Sequence, residues 1–141
     1  MNAPILAPAA ILIRWSLIML VWMASTRLPA LPKAGLDLSG PGGRGQDIDP
    51  QLPPNVAWKS HTYAHLMEQP TLFYAAVVLL TVVGQGDGLN AQLARAYVGI
   101  RIVHSLWQAL VNTISVRFGL FILSTLCLFA LSVQLVVATL L

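Results

Sequence analysis

Apolar residues in this chain fall into long runs with few charges, and four of these runs read as helices. Residues 5–25, ILAPAAILIRWSLIMLVWMAS, are long enough to cross a hydrocarbon core of about 30 Å at about 1.5 Å per residue. Arg14 sits in the middle of that run. A cleaved secretory leader carries its positive charge ahead of the apolar region, so a retained helix is expected instead. The uncharged stretch TLFYAAVVLLTVV, residues 71–83, would make only about 20 Å of helix. The second span must therefore reach back over 58–83, which brings His61, His65 and Glu68 to membrane depth or its edge. GQGDGLN, residues 84–90, reads as a tight turn, followed by a third span over 91–111 and a fourth over 115–141.

The segment 28–57 holds six prolines and five glycines, a composition that favours an irregular surface loop. No internal repeat is present. Because lipid cannot satisfy bare backbone groups, the pattern predicts an all-α membrane protein in which residues 1–141 form one four-transmembrane-helix bundle.

Composition agrees with this reading. The chain is 57% hydrophobic and 9% charged, against about 25% charged in an ordinary soluble domain, so the lipid bilayer is its expected surroundings. The net charge of +3 comes without any basic run, which argues against a nucleic-acid partner. Cys127 is the one cysteine, which excludes an intrachain disulfide and a zinc-type cysteine cluster. Arg27, Lys33, Arg44 and Lys59 flank or occupy the first loop and Arg117 begins the last span, whereas the turn at 84–90 carries only Asp87. The positive-inside rule then assigns the 28–57 loop and the 112–116 turn to the cytoplasm.

Ionisable groups at membrane depth are costly enough to be candidate functional residues. On a continuous helix His61, His65 and Glu68 share one face. In the third span Tyr97, Arg101, His104 and Gln108 do the same. The two stripes are expected to face each other, with Glu68 paired to Arg101 and Arg14 adding a further interior charge. That excess of guanidinium invites an anionic ligand. Arg95 points elsewhere and is expected to snorkel towards the turn. The competing reading is structural, since buried polar stripes also join helices through bonds of about 0.6–2 kcal/mol each.

The segments HLMEQPTLF and RAYVGIRIVHSLWQALVNTISVRFG resemble the MAPEG family, the membrane-associated proteins in eicosanoid and glutathione metabolism. The most specific part is Arg101-x-x-His104 followed thirteen residues later by Arg117. The resemblance implies a homotrimer with sites between subunits near the cytoplasmic face. It also implies glutathione as the thiol and a lipophilic small molecule as the second substrate. In that chemistry Arg101, with His65, holds a glutathione carboxylate, and Arg117 is the catalytic group that stabilises the thiolate. The thiolate attacks an apolar electrophile or a lipid hydroperoxide. The sequence departs from the glutathione-using branches at His61 and His65, which stand where arginine and asparagine are usual. Gln108 stands where tyrosine is common, and Pro70 follows Glu68 closely.

Two other readings stay open. One is a His/Glu metal or haem site at His61, His65 and Glu68, although no third firm ligand or HExxH-type base accompanies them and no metal ligand is assigned. The other is a non-catalytic membrane assembly or ligand-binding protein.

Overall fold

Backbone N–H and C=O groups facing hydrocarbon must be satisfied within their own segment, and the apolar runs answer with helices. The computed structural model describes residues 3–36, 39–42 and 44–141. Its helices are α1 (Leu6–Lys33), α2 (Gly45–Ile48), α3 (Pro54–Leu66), α4 (Pro70–Val82), α5 (Gly88–Leu110) and α6 (Ile114–Leu140), with a 3-10 turn at Asp49–Gln51. No strand occurs among the described residues.

The first helix runs on to Lys33 instead of ending near residue 25, despite Pro29 and Pro32 in its last turns. Leu31 explains part of this, because it is buried with Leu52 and Val56 in a small apolar cluster beneath the loop. Gly35, at φ 77°, closes the helix in a conformation that costs glycine little. The region expected to be one irregular loop thus lends its edges to α1 and α3.

The second span is interrupted. Pro70 has no N–H and its ring would clash with the carbonyl of Leu66 four residues back, so α3 ends there and α4 starts at Pro70. Residues 67–69 form a tight turn, in which the Met67 N–H donates to the Ala64 carbonyl at 3.0 Å and that of Leu72 to Gln69 at 3.0 Å.

Three stretches are both long and apolar enough to cross a membrane: Leu6–Lys33, Pro54–Val82 and Ile114–Leu140. At 23 residues α5 has the length, about 34 Å, but not the average apolarity, because its polar residues are many. Most are turned inward: Asn90, Tyr97, Arg101, His104, Ser105 and Gln108 are buried, while Gln92 and Arg95 are exposed along with Leu89, Val103, Leu106 and Leu110. This inversion of the soluble pattern suits a helix whose outer face meets lipid. The core packs α5 against α6, α3 and α1, with Leu12, Met19, Leu66, Phe73, Leu80 and Leu131 almost wholly buried. With apolar outer faces and these spans, the protein is integral to a membrane.

Polar contacts tie the 34–53 segment to the bundle. Arg27 forms an ion pair with Asp49 and donates to the Gly45 carbonyl at 2.6 Å. His61 Nε2 lies 3.2 Å from the other Asp49 oxygen. Lys59 donates to the Asn55 carbonyl at 2.8 Å and lies over the Trp22 ring. Asp49 is buried, so its removal strands the mostly buried Arg27 guanidinium. Asp49→Ala is expected to cost about 1–3 kcal/mol and to speed tryptic cleavage after Arg44 in detergent-solubilised protein. An unchanged cleavage rate would show that the ion pair does not hold the segment down.

Candidate functional site

The break before Pro70 shapes the centre of the site. In an unbroken helix the His65 carbonyl would accept from the N–H of residue 69. Here it receives a 3.3 Å bond from Glu68 N–H and a 3.1 Å bond from Arg101 Nη2. The same Nη2 lies 3.1 Å from His65 Nδ1. A guanidinium can only donate, so Nδ1 accepts and the ring proton belongs on Nε2. Arg101 is fully buried. Its Nε and Nη1 have no hydrogen-bond partner among the described residues, and neither has His104 Nε2.

His65 stands edge-to-face against His104, ring centres 4.9 Å apart, and against Phe121 at 5.6 Å. These rings, with Ile114, Arg117 and Phe118, line a cleft of about 190 Å³. Arg117 is held at its edge by Asn112, whose side-chain oxygen accepts from Nη1 at 2.7 Å. Asn112 lies between α5 and α6 at φ 57°, the left-handed region that asparagine tolerates better than most residues. One residue thereby turns the chain and aims the arginine.

Deeper in the bundle, the Tyr97 hydroxyl donates to Gln69 Oε1 at 3.1 Å, and Gln69 Nε2 donates to Thr125 Oγ1 at 2.9 Å. Tyr97 also stacks on Phe73 with ring centres 4.4 Å apart. Trp15 Nε1 donates to Ser105 Oγ at 2.7 Å, joining α1 to α5. Gln69 and Thr125 also border an apolar groove of about 400 Å³ between α4 and α6, walled by Leu72, Ala76, Leu79 and Leu128.

The stripe of Tyr97, Arg101, His104 and Gln108 is therefore buried as one face, with His65 against it. The stripe on the second span does not close: the break after Leu66 moves Glu68 out of register, and His61, one turn before His65 on α3, meets Asp49 of the loop segment instead. His61 is exposed and turned to Asp49. Glu68 is exposed in the turn and makes no ion pair with Arg101, contrary to expectation. Arg14 is exposed on the outer side of α1 and adds no charge to the interior. His61, His65 and Glu68 do not assemble as metal ligands, and no group of three such residues does so among the described residues. Gln108 is buried with Oε1 unpartnered.

Sequence reasoning passed over Gln69, Asn112, Phe121 and Ser105. Two of these left a signal: Gln69 immediately precedes the helix-breaking Pro70, and Asn112 is a residue type enriched at positive φ where two helices meet. The profile of the MAPEG family matches residues 5–137. The chain belongs to the MAPEG family. No curated protein and no solved structure matches it. The family match runs from the start of α1 into the last turns of α6, so every residue of the cleft falls within the MAPEG region.

The observed contacts make the pairing testable. His65→Ala and Arg101→Leu share a contact and should be non-additive by about 1 kcal/mol in denaturation experiments in detergent. Glu68→Gln and Arg101→Leu should add to within about 0.5 kcal/mol. The reverse pattern would restore the Glu68–Arg101 pair.

Proposed function

We propose that this MAPEG protein is a four-span homotrimer that transfers a thiol, glutathione or a close relative, to lipophilic substrates, or reduces lipid hydroperoxides with it. The observation that carries the reading is the cleft itself, where the Asn112-held Arg117 faces two histidines beside a buried guanidinium with open donors. Such a site favours an anion carrying a second charge. A ligand carboxylate is drawn to the histidine wall of the cleft by the charge of Arg101 behind His65, and Arg117 faces the sulfur. A guanidinium beside a thiol favours the thiolate, which is the nucleophile.

In conjugation the thiolate sulfur forms a bond to an electrophilic carbon, and the displaced group or the adjacent carbanion takes up a proton. In peroxide reduction the sulfur attacks the outer oxygen, the O–O bond breaks, and the departing alkoxide is protonated. A second thiol then closes a disulfide and releases water. Partitioning into the bilayer concentrates the apolar partner near the α4–α6 groove.

Subunit assembly completes the reading. At about 190 Å³ the cleft is smaller than the roughly 300–1,000 Å³ of typical small-molecule sites, so a tripeptide-sized thiol needs a wall from a second copy. The length of α5 and its largely inward polar face support its crossing as a fourth span, and the basic residues at the loop end favour a cytoplasmic location for the cleft.

Lysine keeps the charge of Arg117 but loses its planar fork. Arg117→Lys should preserve expression and assembly while lowering thiol transfer to an apolar electrophile by at least about tenfold, equivalent to about 1.4 kcal/mol. Asn112→Gly keeps access to the left-handed backbone but removes the amide, and should lower the same rate about threefold to tenfold. Full activity in Arg117→Lys would make Arg117 a topology anchor and remove the basis for the mechanism.

A further inference from the structure

Arg101 carries a charge that does not itself line the cleft. Its Nε and Nη1 are buried and unpartnered among the described residues, and the cleft wall is made by His65, His104, Ile114, Arg117, Phe118 and Phe121. What joins Arg101 to that wall is His65, where Nη2 donates to the backbone carbonyl and lies against ring Nδ1, each at 3.1 Å. Both acceptors belong to one residue, so a single guanidinium nitrogen fixes the ring against its own backbone.

That contact decides where the ring carries its proton. A guanidinium only donates, so Nδ1 keeps its lone pair and the single ring proton stays on Nε2. An imidazolium would set a second N–H on Nδ1 against the guanidinium N–H, and the contact would break. The two ring nitrogens point to opposite sides, so Nε2 is directed away from Arg101. His65 is half-buried, and its Nε2 is neither paired nor enclosed among the described residues. The charged and titratable groups facing the ring are Arg101 and His104 on α5, Arg117 on α6 and Glu68 in the turn after α3. From α1, Arg14 is exposed and Arg27 is paired with Asp49, which also takes His61.

We infer that Arg101 is a positioning residue that acts on the ligand only through His65: it holds the ring as the Nε2–H tautomer, and that neutral N–H is the donor to a ligand carboxylate in the cleft. The inference rests on the reading of the cleft as a thiol site and names the group that recognises the carboxylate there. A neutral imidazole N–H is a competent donor to an oxygen that carries negative charge, and the buried guanidinium behind the ring polarises it further. The consequence is a carboxylate site whose donor does not depend on pH. A histidine that had to be protonated would release the carboxylate as pH rises through the imidazole range near about 6.5. A proton held on Nε2 by Arg101 stays in place across that range.

The test uses the full-length protein in nanodiscs and S-methylglutathione, which keeps both carboxylates of glutathione but has no ionisable thiol, so its binding does not report on thiolate formation at Arg117. Calorimetric affinity should change by less than about twofold between about pH 5.5 and about pH 7.5. His65→Gln keeps a neutral Nε2 donor and should bind within about threefold of wild type, whereas His65→Leu should bind at least about tenfold more weakly. Arg101→Gln frees the ring to take a second proton, so its remaining affinity should fall at least about threefold over the same rise in pH. A purely structural Arg101 would weaken binding equally at both pH values. Nitrogen-15 spectra of the wild-type protein need no Arg101 variant: the chain has three histidines, His65→Gln identifies the one at issue, and it should show a bare Nδ1 and a protonated Nε2 throughout. A proton on His65 Nδ1 within this range, a tenfold loss of wild-type affinity as pH rises, or full affinity in His65→Leu would each overturn the inference and leave the thiol-site reading standing. Failure of the wild-type protein to bind S-methylglutathione at any of these pH values would overturn both.

Discussion

Arg101 places a permanent charge where neither water nor, among the described residues, a carboxylate reaches it. Taking a guanidinium out of water costs several kcal/mol, so the parts of the bundle around it are arranged to supply acceptors. The chain provides them by breaking its second span. Pro70 ends α3, the turn exposes the His65 carbonyl, and the His65 ring turns its Nδ1 to the same guanidinium nitrogen. These two neutral acceptors occupy one nitrogen and leave Nε and Nη1 open. This partly satisfied cation lies directly behind His65, which lines the cleft.

The remaining architecture follows from reversing the usual relation of polar and apolar faces. Hydrocarbon rewards apolar surface outside, so α5 turns Tyr97, Arg101, His104 and Gln108 inward and its leucines outward. Inside, polar groups satisfy one another across helices: Tyr97 to Gln69 to Thr125 joins α5, the second span and α6, and Trp15 to Ser105 joins α1. At the end where α5 gives way to α6, Asn112 converts a tight chain reversal into a fixed position for Arg117. The candidate nucleophile-stabilising group is thus built on the junction of two rigid helices, a better support for chemistry than a free loop.

The MAPEG region takes in both the cleft flanked by arginine and histidine and the apolar groove between α4 and α6. The histidines at 61 and 65 have diverged in role. His61 has joined Asp49 and Arg27 in fastening the loop segment, while His65 remains at the cleft.

The sequence by itself determined that the chain lives in a membrane, that it is helical, and that Tyr97, Arg101, His104 and Gln108 share a buried face, because composition and a 3.6-residue period act locally. Family membership was legible for the same reason, in the spacing of Arg101, His104 and Arg117. Only the tertiary structure decided the partners. Extrapolating one helical face from His61 to Glu68 assumed an unbroken helix, and the turn forced by Pro70 rotated Glu68 away from Arg101. The side taken by Arg14 could not be read at all, since a run that is apolar all round offers no periodic contrast to say which face turns inward. Direction in such a helix is settled by which neighbours it packs against, and those neighbours are distant in sequence.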